Sequence, residues 1–548
     1  MDSYNIVGKL VEESAAKYPD KEALINHDGT LRYTYTELAE KIDSLAKALI
    51  DMGIKKGDRV AIWSKNSVEW IIAQIGISRA GGVMVPINPH ERIQIIEHLI
   101  SHCDAAAMVM MEGIHGTENI DMLYEMCPEL KGADKSNLNL KKFPLLKHIV
   151  MVADKKYEGI WDWNEVLNRG SACDGSKLAS RIKEIDWEDE VHMIYTSGTT
   201  GLPKGVPLSN KNVILNAAAM AEKMNIQPDY IFCLQPPLFH TFGCIACVIV
   251  GFMNGCSIVA MDKFVADRTL RVIEKEKCNV LSGVPTMFLG FLKEYQKGGY
   301  DISSLKTGII AGAASPKGLI ENIINTMGIK GLIQAYGLTE TSPCIAASNW
   351  NDPPEGKENT IGTPIKGIQL RLIDENTGKE AAKGEKGEIC VKGDTVMKGY
   401  YKMPEETAKT IDADGWLHSG DLGCIREDGF LTITGRIKDI IIRGGENIYP
   451  AEIENIIIDH PCVDDVYAVG VPDEVKGEEV MVFIKKKDGN AASANLTGDE
   501  IRTFCKDKMA THKIPRYVEF TDTFPLSSTG KVLKRELRNI GAKIISGE

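Results

Sequence analysis

The sequence predicts an α/β protein, with a large N-terminal domain of doubly wound sheets, a small β-rich subdomain and a small α+β domain at the C-terminus. Three observations predict it. Strand-like and helix-like runs alternate through the first two thirds of the chain, the pattern of a parallel sheet with helices on both faces. From Thr363 the texture changes to short β-like runs broken by Gly and Asp turns. Beyond Pro450 a compact set of helical and strand-like pieces follows. At 548 residues the chain exceeds what one core supports, so roughly two to four structural units are expected.

Each element has a local cause. After a first amphipathic segment, Thr34-Tyr-Thr-Glu37 has the spacing of a capping box, and Leu38, Ile42, Leu45, Ala46 and Leu49 then recur at helical spacing until Gly53. Arg59 to Trp63 reads as a strand, Val68 to Arg79 as a helix and Gly82 to Pro86 as a strand. Residues 128–145 are polar and aperiodic, which suits a surface excursion better than core. The stretches 213–224, 268–277 and 316–327 read as helices, between strands at 257–261, 279–282 and 307–311. The β-rich part offers Gln369 to Ile373, Gly387 to Lys392 and Gly429 to Thr434. At the C-terminus 451–460 and 498–510 read as helices and 463–471, 478–486 and 516–520 as strands, with a disordered-looking spacer at 488–497.

Composition narrows the function. A hydrophobic fraction of 43% and a charged fraction of 26% are those of a globular protein in water, and a formal charge of −12 argues against a general nucleic-acid surface. The thirteen cysteines are odd in number and lie mostly in apolar runs such as those at Cys233, Cys256 and Cys390, so they read as reduced thiols. The N-terminal Met1-Asp-Ser-Tyr-Asn5 lacks the basic start of a secretion signal. The longest apolar stretch, Phe242 to Met253, falls short of the roughly 20 residues that cross a bilayer. The expectation is a cytoplasmic protein with no integral membrane segment.

The most informative stretch is Val191 to Gly205. An apolar strand breaks into Tyr195-Thr-Ser-Gly-Thr-Thr-Gly-Leu-Pro-Lys-Gly205, which offers hydroxyls at Thr196, Ser197, Thr199 and Thr200, glycines at 198, 201 and 205, and the cation Lys204. Such a loop holds phosphate by converging main-chain N–H groups, hydroxyls and one compact positive charge. It departs from the P-loop of NTPases, which carries Ser or Thr directly after its lysine, where this chain has Gly205.

Further motifs line up behind it: Ala311-Gly-Ala-Ala314, Gln334-Ala-Tyr-Gly-Leu-Thr-Glu-Thr341, Gly415-Trp-Leu-His-Ser-Gly-Asp421, Gly435-Arg-Ile-Lys-Asp439 and Pro525-Leu-Ser-Ser-Thr-Gly-Lys531. In this order they resemble the adenylate-forming superfamily, specifically AMP-forming acyl-CoA synthetases, over roughly residues 30 to 540. The resemblance implies that ATP is held by the loop (Thr196, Ser197, Gly198, Thr199, Thr200, Lys204), by Gly312, Ala313 and Ala314 against adenine, by Gln334, Ala335, Tyr336 and Gly337, and by Asp421, Ile433 and Arg436 around the ribose. It also implies Mg²⁺ at Glu340 and Thr199, with Thr339 and Glu340 at the α-phosphate. Read from the residues alone, Thr339-Glu340 is more often a helix cap than a metal site, Ala311–Ala314 reads as tight strand packing, and Asp421 with Arg436 as a surface turn and an ion pair.

Lys531 is the residue the resemblance makes catalytic, bridging a carboxylate and a phosphate that otherwise repel. By composition alone it would be a solvated side chain. The same likeness divides the chain into an ATP- and acyl-binding domain over 1–435, a hinge at 436–440 centred on Lys438, and a mobile domain over 441–548 that carries Lys531. It assigns Arg443, Gly444, Gly445 and Glu446 to CoA, with the glycine pair leaving room for the pantetheine arm. Lys513 and Arg516 could meet CoA phosphates or simply be solvated. Seventeen residues follow Lys531, too few for a carrier domain, so free CoA is the expected acceptor.

For the acid, His240 stands where amino-acid-activating members carry an aspartate, which disfavours an amino-acid substrate. Gly337, where small-acid members close the pocket, implies a tunnel longer than acetate, walled by Cys244, Cys247, Phe252 and Met253 and lined also at Gly312 and Gly337. The His240, Cys244, Cys247 spacing lacks a fourth metal ligand and reads better as a core helix with His240 at the carboxylate end. The expected activity is an acid–thiol ligase for a medium-chain, alicyclic or aryl acid, as monomer or homodimer. A luciferase-like user of the same adenylate and an inactive nucleotide-binding relative are the alternatives.

Overall fold

The computed structural model describes residues 6–114, 116, 118–196, 202–375, 377–488, 491–506, 508–526 and 531–547. It separates into two compact units. The first comprises residues 1–358, 362–369 and 391–417; the second comprises 359–361, 370–390 and 418–548.

The first unit contains two large, mostly parallel sheets. In the seven-stranded sheet the order is Trp161–Asp162, His148–Val152, Ala105–Met111, Arg59–Trp63, Val83–Ile87, Glu190–Thr196 and Lys204–Ser209, with only the last strand antiparallel to its neighbour. The nine-stranded sheet runs Thr363–Pro364, Cys344–Ala347, Gly331–Gly337, Thr307–Ala311, Val280–Leu281, Ile231–Leu234, Ser257–Ala260, Glu22–Asn26 and Arg32–Thr34. The predicted strand Arg59–Trp63 and helix Val68–Arg79 match their predicted bounds. Every residue of that helix except Glu69 is buried, the polar Gln74, Ser78 and Arg79 included, as suits a helix with apolar residues on all sides. The capping box forms: Thr34 accepts from the Glu37 amide at 3.2 Å and its own amide donates to the Glu37 carboxylate at 2.8 Å.

The expected core helix after His240 is less regular. Thr241–Gly243 and Val250–Met253 are α-helical, and Cys244–Ile249 between them is a π-helix, all of its residues buried. Gln74 of the buried helix donates to the Cys244 carbonyl at 2.9 Å, so the wider turn keeps a side-chain partner in the core.

Two expectations need correction. Residues 128–145 contribute only a 3₁₀ turn at Pro128–Leu130, yet Leu130, Leu138, Leu140 and Phe143 are buried in the core beside Met108 and Ile149. The loop is an excursion whose apolar residues point inward. The spacer at 488–497 includes a helix, Ala491–Ala494, and Leu496 packs into the C-terminal core.

In the second unit, Leu417–Ile425 and Leu431–Arg436 pair antiparallel in a four-stranded sheet. The C-terminal part is a five-stranded sheet in which the interior strand Gly477–Lys486 pairs antiparallel along its length with Val463–Asp473 at the sheet's edge, and Tyr517–Phe520 adds to it in parallel. Helices Pro450–Ile457 and Gly498–Cys505 cover one face through Ile453, Ile457, Ile501 and Cys505. Helix Lys534–Ser546 buries Leu537 against Val469, Val471, Met481 and Phe483. No described helix is long and apolar enough to cross a membrane, and none of the thirteen cysteines forms a disulfide.

Candidate active site

In the first unit the candidate residues lie at strand ends. Strands Thr307–Ala311 and Gly331–Gly337 are parallel neighbours with Ile310 opposite Gln334 and Ala311 opposite Ala335. The small-residue segment and the Gln334–Tyr336 segment therefore leave the sheet side by side at its C-terminal edge, where open α/β sheets bind ligands. Gly312, Ala313 and Ala314 are exposed there, and Gly312 has φ +91°, a conformation that favours glycine.

Of the phosphate-loop candidates, Ser197, Gly198, Thr199 and Thr200 lie outside the described residues. The two that flank them are described. Thr196 ends one strand, Lys204 begins the next, and they are register partners across the antiparallel pair. Lys204 is 8% exposed; its ammonium pairs with Glu406 at 2.5 Å and sits 4.9 Å from the centre of the Tyr400 ring. The same Tyr400 donates its hydroxyl to Glu340 Oε1 at 2.8 Å, while the Met397 amide donates to the Glu340 carbonyl. Tyr400 thus joins the candidate phosphate cation to the candidate metal carboxylate. Motif reading missed both Tyr400 and Glu406, whose partners are 60 and 202 residues away. Thr339 is buried and Glu340 half-buried in a 3₁₀ turn, Thr339–Thr341.

Glycine at 337 has a cause of its own. A Cβ there would lie 1.8 Å from the Pro343 carbonyl oxygen. The chain path demands glycine, so Gly337 is no gauge of pocket length. His240 is half-buried at the N-terminal end of the Thr241–Met253 segment, which is buried except at Phe242, and burial pushes the Cys247 thiol up to about 12 and the Cys244 thiol higher still. Both remain protonated, apolar wall. The one cluster of three metal-ligand side chains among the described residues lies in the second unit: Glu388, Cys390 and His418, within 4.8 Å of one another. Glu388 accepts from the Gly420 amide at 3.0 Å and lies 2.7 Å from His418 Nδ1, which fastens the turn leading to Asp421.

In the second unit three candidates converge. Asp421 and Arg436 are register partners, and Arg436 Nε meets Asp421 Oδ1 at 2.7 Å; Asp421 is 2% exposed. Lys531 lies within the field of both. Burial, then the Arg436 guanidinium, hold its ammonium below lysine's ordinary pKa, and Asp421 opposes them. Ile433 is exposed on the strand between Leu431 and Arg436, and Lys438 is exposed in the 3₁₀ turn Ile437–Asp439.

The CoA candidates are largely engaged within the unit. Ile441–Arg443 and Glu446–Ile448 form a hairpin with Arg443 opposite Glu446, and the two loop residues Gly444 and Gly445 have φ +60° and +87°. A two-residue turn of this kind requires positive φ at both positions, which explains the glycine pair. No atom lies within 4 Å of a Cβ built on either, so the turn is also open. Arg443 makes a bidentate pair with the fully buried Glu479 carboxylate at 2.5 and 3.0 Å. Lys513 pairs with Glu452, and Arg516 with Asp473 at 2.9 Å.

The comparisons with known proteins decide the family. Residues 11–401 match the AMP-binding enzyme family, and residues 452–531 match the AMP-binding enzyme C-terminal domain. The chain belongs to the AMP-binding enzyme family. This AMP-binding enzyme is 40% identical over 535 residues to the putative acyl-CoA synthetase YngI of Bacillus subtilis (strain 168), covering 98% of this chain and 97% of the relative. It is 35% identical over 538 residues to the mitochondrial medium-chain acyl-CoA ligase ACSF2 of Homo sapiens, covering 97% and 87%. Among solved structures it resembles the anthranilate CoA ligase AuaEII in complex with anthranoyl-AMP, with a TM-score of 0.85 and 25% identity over 100% and 99% of the two chains. It also resembles ATP-bound MatB from Rhodopseudomonas palustris, with a TM-score of 0.84 and 26% identity over 98% and 99%. The expectation of an AMP-forming acid–thiol ligase, drawn from the motifs, is borne out by these full-length relatives.

Proposed function

We propose that this AMP-binding enzyme converts a medium-chain, alicyclic or aryl carboxylic acid, ATP and CoA into acyl-CoA, AMP and pyrophosphate through an acyl-adenylate. The observation that carries the reading is the convergence of Lys531 on the Asp421–Arg436 pair. A partly desolvated ammonium in the field of a carboxylate suited to ribose hydroxyls supports a role for Lys531 in meeting an α-phosphate and the attacking carboxylate together. In such a setting a fixed cation stabilises charge developing in the transition state by far more than it would in water. Lys204 and Thr196 hold phosphate oxygens, Ala311–Ala314 and Tyr336 accept the purine, and His240 orients the acid's carboxylate.

Glu340 fits a magnesium ion: it is a single half-buried carboxylate, engaged by Tyr400 through one oxygen, and magnesium takes one or two carboxylates plus phosphate oxygens and water. Bound there with Thr199, the ion would neutralise phosphate charge. For thioester formation, residues 441–548 move about a hinge at Lys438, withdraw Lys531 and bring the open Gly444–Gly445 turn to the pantetheine arm, the bond change falling on a few main-chain torsions. Arg443 then serves CoA through the shape of that turn. An acid longer than acetate is supported by the fully buried wall at Cys244, Cys247 and Phe252. Thirteen cysteines outside any disulfide support a reducing compartment, the cytoplasm.

The test is pyrophosphate release and thioester formation across hexanoate, decanoate and benzoate, with and without CoA. Release that depends on the acid, with thioester appearing only with CoA, is expected. Lys531→Ala is expected to cut adenylate formation by about 10²–10³, as loss of a transition-state donor does, while sparing thiolysis of preformed acyl-adenylate. Release at the parental rate in that variant would sink the assignment.

A further inference from the structure

Both flanks of the phosphate loop are held by one helix, Ile93–His102. On the N-terminal flank, His102 Nδ1 meets the Tyr195 hydroxyl at 2.7 Å. On the C-terminal flank, His98 Nε2 lies 3.2 Å from the Pro203 carbonyl; a carbonyl only accepts, so this nitrogen carries a proton. One helical turn separates the two histidines, which stack with ring centres 5.2 Å apart and planes 28° apart. The Tyr195 ring stands edge-on to both.

The surroundings make the arrangement stiff. A Cβ at position 205 would lie 3.3 Å from the Tyr195 ring, so Gly205 leaves the space that ring occupies. Tyr401 donates its amide to the Gly205 carbonyl at 2.9 Å, packs its ring on His102, and donates its hydroxyl to Asp104 at 2.9 Å. Asp104 also binds Lys402 at 2.6 Å and Arg59 at 3.3 Å. Apart from Tyr195, none of these side chains belongs to the nucleotide motifs. Their common effect is to fix where the chain enters and leaves residues 197–201.

We propose that His98 and His102 are positioning residues for the nucleotide's phosphates, clamping Tyr195 and Pro203 on either side of the phosphate loop. The proposal rests on the reading that this loop holds ATP. It assigns the pair no contact with substrate; it acts through Tyr195 and Pro203. The chemistry it serves is a polyphosphate, and the acid and CoA should not sense it directly.

The experiment measures ATP binding by calorimetry on the full chain, together with KM for ATP, acid and CoA. His98→Leu and His102→Leu are each expected to weaken ATP by about threefold to tenfold, the worth of one net hydrogen bond, with acid and CoA unaffected within about twofold of the same scale. His98→Gln and His102→Asn, which keep a polar group at the place of Nε2 and Nδ1 respectively, are expected to recover most of the loss. Tyr195→Phe should match His102→Leu, and the double variant should be no worse than either alone, because both delete the same bond. Unchanged ATP affinity in both leucine variants overturns the clamp. So does an equal weakening of all three substrates that tracks a falling melting temperature and is not relieved by the two polar variants, since that is a packing defect. Should the parent release pyrophosphate with no acid yet show this ATP pattern, the ligase reading fails and the clamp stands.

Discussion

Replacing Tyr400 by Phe isolates a single bond in the candidate site. The change removes the hydroxyl that reaches Glu340 Oε1 at 2.8 Å and leaves the ring beneath the Lys204 ammonium, 4.9 Å away. A hydrogen bond to a charged group contributes about 1.5–3 kcal/mol, and Glu340 is half-buried, so little of that is returned by water. If the bond serves to aim the carboxylate during adenylate formation, kcat/KM for pyrophosphate release falls by about tenfold to a hundredfold, at one decade per 1.4 kcal/mol. The assay is pyrophosphate release at saturating acid over a series of Mg²⁺ concentrations, with Tyr400→Leu alongside. Leucine also removes the ring from the cation, a further ~0.5–2 kcal/mol, and should raise KM for ATP where phenylalanine does not. Burial first, then the charge of Glu340, push the Tyr400 phenol well above tyrosine's ordinary pKa, so the deficit should be constant from about pH 6 to 9. A Tyr400→Phe enzyme within twofold of the parent at every Mg²⁺ level, beside an impaired Glu340→Gln enzyme, would refute the argument.

Three further outcomes are expected. Gly337→Ala forces a methyl onto the Pro343 carbonyl and should cost about 1–3 kcal/mol by denaturant titration, the usual price of overpacking; parental stability would show that the backbone yields. Arg443→Ala leaves the buried Glu479 with Lys476 at 3.0 Å and Arg516 at 3.6 Å but without its bidentate partner, and should destabilise the C-terminal unit by about 2–4 kcal/mol; burial raises the Glu479 pKa but the Arg443 and Lys476 contacts outweigh it and lower it, so the stability this pair adds is present above a normal glutamate pKa and lost as pH falls through the depressed one. Asp465 behaves in the opposite sense, for burial pushes it up to about 6: the unit should gain about 1–3 kcal/mol as pH falls from 7 to 4, and Asp465→Asn should abolish that gain in a melting series, its persistence identifying another group.

Most of the architecture was legible where periodicity and caps agree. The helix Val68–Arg79 and strand Arg59–Trp63 follow from local pattern alone, and Thr34 with Glu37 starts its helix as written. The strand expected at Gly429–Thr434 is instead Leu431–Arg436, because Gly429 takes φ +83° and its amide closes a turn onto Arg426. Leu138, Leu140 and Phe143 escaped notice because residues buried from an irregular loop have no period. In the site, motif residues were readable as types, and their neighbours were not. Tyr400, Glu406, His98 and His102 act on partners far along the chain, a relation that only the folded sheet creates. Arg443 shows the reverse: its motif suggested a ligand contact, and the buried Glu479 explains its presence without one.

The pairing of Thr196 with Lys204 across two sheet strands has one more consequence. The cation is indexed to the rungs of a ladder, whatever the length of the span between the two strands. Lengthening or shortening that span would therefore alter the shape of the cradle while leaving its ammonium in place. Grip on the terminal phosphates and accommodation of the rest of the polyphosphate become separable by design, one written in strands and the other in the span between them.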